Sequence, residues 1–292
     1  MSLTSSRRTF LGSGLGSAAL LAVQPGYGSP AGKRSEVHLG ICSYSFGRCK
    51  LSEAIQSAKA LNARYINIKP EFQIPYTSTA AELAEAKKML DDAGLQLVGT
   101  GTAYLQKNDE AEIRRCFEYN RALGSSLIVN GPTRETLPLI EKFAKEFNIK
   151  IAIHNHGTED KHFPTPQSVL SAIKGMDPHI GLCIDIGHTL RTGTDPAAAA
   201  KEAGARLLDV HLKDIRKAPD GKWVGRDCGE GEVPLTAVLR QLEGMGFNGH
   251  CNLEYEVRFA PDGHELTAGE KMVGMQKSLA YLRGIAAGLK AA

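Results

Sequence analysis

The chain has 292 residues, 42% of them hydrophobic and 23% charged, with a formal net charge of +3. Those values are ordinary for a globular protein with one large core. Without residues 1–31, which carry Arg7 and Arg8 and no acid, the charge falls to about +1, so there is no electrostatic basis for a nucleic-acid partner or a membrane surface.

The first thirty residues read as an address. Ser5-Ser6-Arg7-Arg8-Thr9-Phe10-Leu11 resembles the twin-arginine export motif, and an apolar Gly/Ala-rich stretch, 11–23, follows it. That stretch is too short and too glycine-rich for a comfortable membrane span. Ser29-Pro30-Ala31 supplies a small-x-small cleavage site. Residues 1–31 are therefore expected to be a cleaved export signal, with 32–292 a periplasmic domain that has no stable membrane association; an uncleaved N-terminal anchor is the alternative. The twin-arginine route carries folded proteins, so a metal could be loaded before export. Roughly 250 residues then remain, which suits a single (β/α)8 domain as well as two small ones.

From residue 37 onward, short apolar runs alternate with amphipathic stretches. Strands are predicted at 37–42, 64–68, 96–100, 126–130, 150–154, 181–185, 207–211 and 249–254. Helices are predicted between and after them, at 51–61, 80–93, 109–123, 133–147, 166–174, 195–203, 235–245 and 268–287. Thr79-Ala80-Ala81-Glu82 is a capping box, and Gly94, Gly124 and Gly246 lie just past helix ends. The runs are almost wholly apolar, as in parallel strands covered on both faces. Eight such alternations predict an α/β protein, a closed (β/α)8 TIM barrel in a single domain. An open doubly wound sheet would call for a Gly-rich phosphate loop after the first strand, where Cys42-Ser43-Tyr44-Ser45-Phe46 stands instead. The longest loop is expected at 215–233. The six cysteines form no CxxC pair; Cys42, Cys183 and Cys251 fall in strands and read as core.

Active sites of such barrels lie at the carboxyl ends of the strands. Strand five ends in Ile153-His154-Asn155-His156-Gly157 and strand six in Cys183-Ile184-Asp185-Ile186-Gly187-His188. Strand seven ends in Asp209-Val210-His211-Leu212-Lys213-Asp214 and strand eight in Asn252-Leu253-Glu254-Tyr255-Glu256. Four neighbouring strands thus bring His, Asp, His and Glu to one rim. Singly, each has a plainer role, a hydrogen-bonded rim histidine or a helix cap. Together they form a candidate metal set of His154, Asp185, His211 and Glu254 for one divalent transition ion, Mn, Co, Zn or Fe rather than Ca. His154 and His156 share strand parity; His154, nearer the strand, is taken as the ligand and His156 as a neighbouring catalytic or substrate group.

These strand ends resemble the xylose isomerase-like TIM barrels, often labelled sugar phosphate isomerase/epimerase. The likeness covers roughly residues 37–287 and rests on Asp185-x-x-His188, His211-Leu-Lys-Asp and Leu253-Glu254. It implies that Asp185, His211 and Glu254 hold the metal and that His188 contacts metal or substrate. The family's epimerases place a glutamate on strand five, where this chain has His154. The inosose dehydratase-like members resemble it better, with histidines on strand five and a similar strand-seven segment. A metal-bound imidazole has no free lone pair, so the two-glutamate proton shuttle of the epimerases does not carry over intact. Enolisation beside a carbonyl does, with Glu254 as base and His156, His188 or Lys213 as acid.

Two further groups are candidates for substrate binding. Lys69 ends strand two beside Glu71, where its ammonium could meet a substrate hydroxyl or form a rim ion pair. Trp223 stands in the glycine-hinged loop, where it could close over a sugar ring or simply pack the loop. Lys213 could likewise pair with Asp214 or a neighbouring loop acid. His38 begins strand one and is given no function. The reading favoured by the resemblance is a metal-dependent sugar isomerase or epimerase acting on a small sugar or polyol. The alternatives are a carbon–oxygen lyase, meaning a dehydratase or keto-glycoside eliminase, and a non-catalytic sugar-binding protein. A nuclease would need a richer metal set and a basic face, and neither is evident.

Overall fold

The computed structural model describes residues 36–291; the expected export signal and cleavage site lie outside them. Strands β1 (His38–Cys42), β2 (Tyr65–Ile68), β3 (Gln96–Ala103), β4 (Leu127–Asn130), β5 (Lys150–His154), β6 (Ile180–Asp185) and β7 (Leu207–Leu212) pair in parallel, each with the next. After β7 come two short strands, β8 (Asp214–Lys217) and β9 (Trp223–Arg226), which pair only with each other. The last strand, β10 (His250–Leu253), lies between β7 and β1 and closes the barrel. The (β/α)8 barrel expected from the alternation is the fold observed.

Strand parity sorts the core into two layers. Ile66, Ile68, Ile128, Ile151, Ile153 and Ile184 join the large outer core, which also takes in helix residues such as Phe117 and Phe143. Leu127, Val129, Ala152 and Cys183 form a small inner cluster. Cys42, Cys183 and Cys251 are fully buried.

Local chemistry explains most element ends. Thr79 and Glu82 form the predicted capping box at the start of helix Ala80–Asp92. The Asp109 carboxylate accepts from the N–H groups of Ala111 and Glu112, which makes it the cap rather than the first residue of Glu110–Leu123. Gly124 ends that helix in the left-handed conformation, φ 82°.

Two expectations need correction. The helix predicted from 133 begins at Leu137, because the Thr136 hydroxyl accepts the Thr133 N–H and donates to the Leu105 carbonyl, holding the preceding residues in a turn. The segment 215–233 is not an open loop: β8 and β9 make an antiparallel hairpin with Asp214 opposite Arg226 and Lys217 opposite Trp223. β6 leads directly into a short helix, Ile186–Arg191. Among the described residues, no helix is long and apolar enough to cross a membrane.

Candidate metal centre and the cavity beside it

Parallel pairing sets four strand ends side by side. Asp185 is in register with His211, and His211 with Asn252, two residues before Glu254. His154 ends β5, in register with Cys183, two residues before Asp185. His154, Asp185, His211 and Glu254 are all buried, and one donor atom from each lies within 4.8 Å of the others. His154 Nε2 is 3.5 Å from Asp185 Oδ2 and 3.6 Å from Glu254 Oε2, and His211 Nδ1 is 2.7 Å from Glu254 Oε2.

The hydrogen bonding of this cluster is incomplete. Both ring nitrogens of His154, Asp185 Oδ2, His211 Nε2 and Glu254 Oε2 are buried and make no hydrogen bond of acceptable geometry. Buried polar atoms without partners are rare in folded proteins, and here those of His154, Asp185 and Glu254 converge from three chain segments, while His211 turns Nδ1 to the cluster and Nε2 to Asp209. A cation among the four side chains would satisfy most of them, and two imidazoles with two carboxylates suit a first-row transition ion better than calcium. The residues therefore fit a metal. Cys183 also lies within reach of His154 and His211, but burial pushes its thiol up, which opposes the thiolate that a metal needs.

Asp185 has two tasks. One oxygen accepts the His188 N–H at 2.7 Å and caps helix Ile186–Arg191, while the other turns to the cluster. The cap and the ligand, which the sequence presents as competing roles, are served by different oxygens of one carboxylate. Asn155 steadies the turn: its Oδ1 accepts the Asp185 N–H and its Nδ2 donates to Thr189.

Lys213 lies just past β7, and its ammonium is ringed by carboxylates, 2.9 Å from Asp185 Oδ2, 3.2 Å from Glu254 Oε1 and 2.5 Å from Glu256 Oε2. Its stem crosses Gly187 so closely that a Cβ there would sit 2.6 Å from Lys213 Cγ. Burial lowers the lysine pKa, but Asp185, Glu254 and Glu256 together carry it well above the usual value. Of the expected ion pairs, that with Asp214 does not form, while that with a loop acid does, at Glu256. Asp214 instead accepts N–H bonds from Ile215, Gly229, Gly231 and Val233, which staple the hairpin segment to the barrel.

Beside the cluster opens a cavity of about 300 Å³, lined among others by His188, Lys213, Trp223, Arg226, Glu254 and Glu256. His188 Nε2 is 3.5 Å from Lys213 Nζ. Burial lowers the His188 imidazole to about 3, with Asp185 opposing the fall and Lys213 adding to it. Trp223 begins β9 and reaches the cavity as part of the hairpin.

His156 and Lys69 stand apart from that cavity lining. The His156 ring lies 4.3 Å from that of His154, with Nδ1 3.2 Å from Asp160 and Nε2 3.3 Å from the Tyr104 hydroxyl. Burial, then the charge of His154, lowers His156 to about 4. Lys69 donates to the Thr102 carbonyl, sits 4.9 Å above the Tyr104 ring and pairs with Glu71 at 3.5 Å, so the rim ion pair is formed. His38 packs against Tyr65 and His250 at the opposite barrel end.

Three residues that sequence reasoning passed over belong to the site. The Tyr44 hydroxyl is 3.3 Å from His211 Nδ1. Glu256 holds Lys213, and Arg191 donates to the His156 carbonyl. Glu256 shares strand parity with Glu254, a signal that was available; Tyr44 lies in a single 3-10 turn, Ser43–Phe46, where no periodicity marks it.

The model of the xylose isomerase-like TIM barrel family matches residues 55–283. The rhizopine catabolism protein MocC of Rhizobium meliloti is 28% identical over 155 residues, 45% of this chain and 46% of that protein. The inosose dehydratase of Clostridium tetani is 36% identical over 78 residues, 26% of this chain and 25% of that one. The matches thus span less than half of either relative. Among solved structures, D-psicose 3-epimerase with D-tagatose, from Clostridium cellulolyticum H10, superposes with a TM-score of 0.69 at 15% identity, covering 86% of this chain and 99% of that one. At that identity the likeness is one of fold.

Proposed function

Because the chain belongs to the xylose isomerase-like TIM barrel family, we propose that it is a metal-dependent enzyme that removes a proton beside a carbonyl of an unphosphorylated sugar or polyol derivative, with isomerisation or epimerisation as the outcome. The observation that carries this reading is the convergence of buried donor atoms from His154, Asp185, His211 and Glu254, several of them without a hydrogen bond. A divalent ion of the Mn, Co, Zn or Fe kind, held by those side chains, would supply Lewis acidity toward a substrate oxygen.

The remaining work falls to side chains. Glu254 has one carboxylate oxygen in the donor cluster and the other 3.2 Å from Lys213, and it borders the cavity, so it is assigned as the base for the α-proton. Lys213 offers an ammonium to the oxygen where negative charge develops. His188 lines the same cavity and is assigned to substrate contact and proton exchange. Trp223 offers an aromatic face to a sugar ring. His156 and Lys69 flank the cluster from β5 and β2 and are assigned to more distant hydroxyls. Export of the mature chain belongs to the same reading, since phosphorylated sugars are scarce outside the cytoplasm.

A carbon–oxygen lyase is the second reading, and His154 favours it. With an imidazole on β5, a second carboxylate base is missing from that face of the donor set, while the Lys213 ammonium lies beside Glu254 to meet a departing oxygen. In that step the α C–H bond breaks to Glu254, its electron pair becomes the C=C bond, and the β C–O bond breaks as the departing oxygen takes a proton from Lys213.

The test is incubation of metal-loaded protein with a panel of keto-sugars in D₂O. Deuterium at the α-carbon supports the reading, and no exchange across the panel with metal bound overturns it. Chiral product analysis separates an epimer from an unsaturated product.

A further inference from the structure

We propose that Asp209 and Asn252, below the metal cluster inside the barrel, are positioning residues that fix the tautomer of His211, so that its Nδ1 lone pair faces the metal. The proposal rests on the metal reading given above. It starts from a carboxylate that no part of that mechanism uses. Asp209 is completely buried on β7, two residues before His211 and on the same strand face. Burying a carboxylate without a cation is costly, and among the described residues His211 is the only basic side chain within 4.0 Å of it.

The contacts have a direction. Asn252, also fully buried, donates Nδ2 to both Asp209 oxygens, at 3.0 and 3.2 Å. His211 Nε2 lies 3.5 Å from Asp209 Oδ2, a charge contact rather than a formed hydrogen bond, and has no hydrogen-bond partner of its own. The other ring nitrogen, Nδ1, faces Glu254 and Tyr44. A carboxylate can only accept, so Asp209 favours a proton on Nε2. Glu254, 2.7 Å from Nδ1, favours one there too until a cation takes that proton's place, so a metal at the cluster displaces the Nδ1 proton and leaves the Nε2 proton facing Asp209. Register sets the arrangement, since Asn252 pairs with His211 across β10 and β7. Gly40 on β1 makes room: a Cβ there would lie 2.3 Å from Asn252 Oδ1. A carboxylate behind a ligating imidazole fixes the ring and raises its basicity.

The experiment compares the parent protein with Asp209→Asn, Asn252→Ala and His211→Ala. Zn²⁺ affinity is measured by chelator competition, and the His211 ring nitrogens are followed by ¹⁵N NMR with and without Zn²⁺. An amide at 209 can present a donor where the carboxylate only accepts, so Asp209→Asn should bind Zn²⁺ ~10–100-fold more weakly. Asn252→Ala should fall between it and the parent. In the Zn²⁺ form of the parent, Nδ1 should be the coordinated nitrogen and Nε2 the N–H. Coordination through Nε2, or Asp209→Asn with affinity within twofold of the parent and an unchanged ring spectrum, would overturn the proposal. If the parent and His211→Ala bind Zn²⁺ alike, the metal reading fails by itself. The metal-free spectra still decide the role of Asp209: a protonated Nε2 in the parent that loses this character in Asp209→Asn supports it, and identical spectra sink it.

Discussion

Lys213 Nζ lies 2.9 Å from the oxygen of Asp185 that faces the donor cluster, while the other oxygen of the same carboxylate caps the next helix through the His188 N–H. One aspartate thus links a candidate ligand set, a buried ammonium and the backbone that carries His188. Substitutions at this corner should separate metal binding from proton transfer.

The first prediction concerns the four donors. His154→Ala, Asp185→Ala, His211→Ala and Glu254→Ala should each lower the affinity for a divalent transition metal by more than ~100-fold, since even residues behind the ligands are worth ~10–100-fold. His38→Ala should leave metal content unchanged, because its ring packs against Tyr65 and His250. Metal analysis after dialysis checks this, and full occupancy in a His211→Ala, Glu254→Ala double variant would refute the assignment.

A second prediction concerns the hairpin. Asp214 is buried and accepts four backbone N–H groups, three of them 15 to 19 residues further along the chain. Asp214→Ala should cost about 3 kcal/mol, since bonds to a charged acceptor contribute ~1.5–3 kcal/mol each and backbone donors are left unpaired. Asp214→Asn should cost less. Urea unfolding gives the magnitude, and faster proteolysis near residues 218–222 would show that the hairpin is what loosens. Equal stability of parent and alanine variant would contradict the stapling role.

These cases show which features a sequence carries openly. The barrel and its donor set were legible because each parallel strand is a short apolar run with chemistry-bearing residues at its carboxyl end. The hairpin was not. Its strands are four residues each and half-buried, and the Asp214 bonds that hold it join residues far apart in sequence. The helix 186–191 is absent from the predicted elements because six residues are too few for a periodic pattern. The partner of Lys213 was expected at Asp214 next door or at a neighbouring loop acid. It is reached across the barrel mouth at Asp185, Glu254 and Glu256, a choice made by strand register rather than by adjacency.

The third prediction concerns the N-terminus, outside the described residues. If residues 1–31 are a twin-arginine signal, mature protein recovered from the native host should begin at Gly32. Replacing Arg7 and Arg8 together by Lys should leave the protein in the cytoplasm with its fold intact, as judged by circular dichroism. Periplasmic recovery equal to that of the parent would show that another route or no export is involved.

The last prediction concerns Lys213. Its ammonium touches three carboxylates and borders the cavity, so it is placed both to stabilise a developing oxyanion and to protonate a departing oxygen. Lys213→Met keeps the stem that crosses Gly187 and removes the charge. The loss of a positioned acid should lower turnover by ~10²–10⁴-fold. Removing an ammonium from among three acids also leaves uncompensated negative charge, so metal content must be measured alongside to keep the comparison between loaded enzymes. Exchange of the substrate α-proton with D₂O and net turnover are then followed separately. If exchange persists while turnover is lost, Lys213 serves the departing oxygen and the lyase reading gains. If both are lost, it serves the oxyanion in the enolisation that the two readings share. If neither changes in the metal-loaded variant, Lys213 is part of the scaffold and its assigned chemistry is wrong.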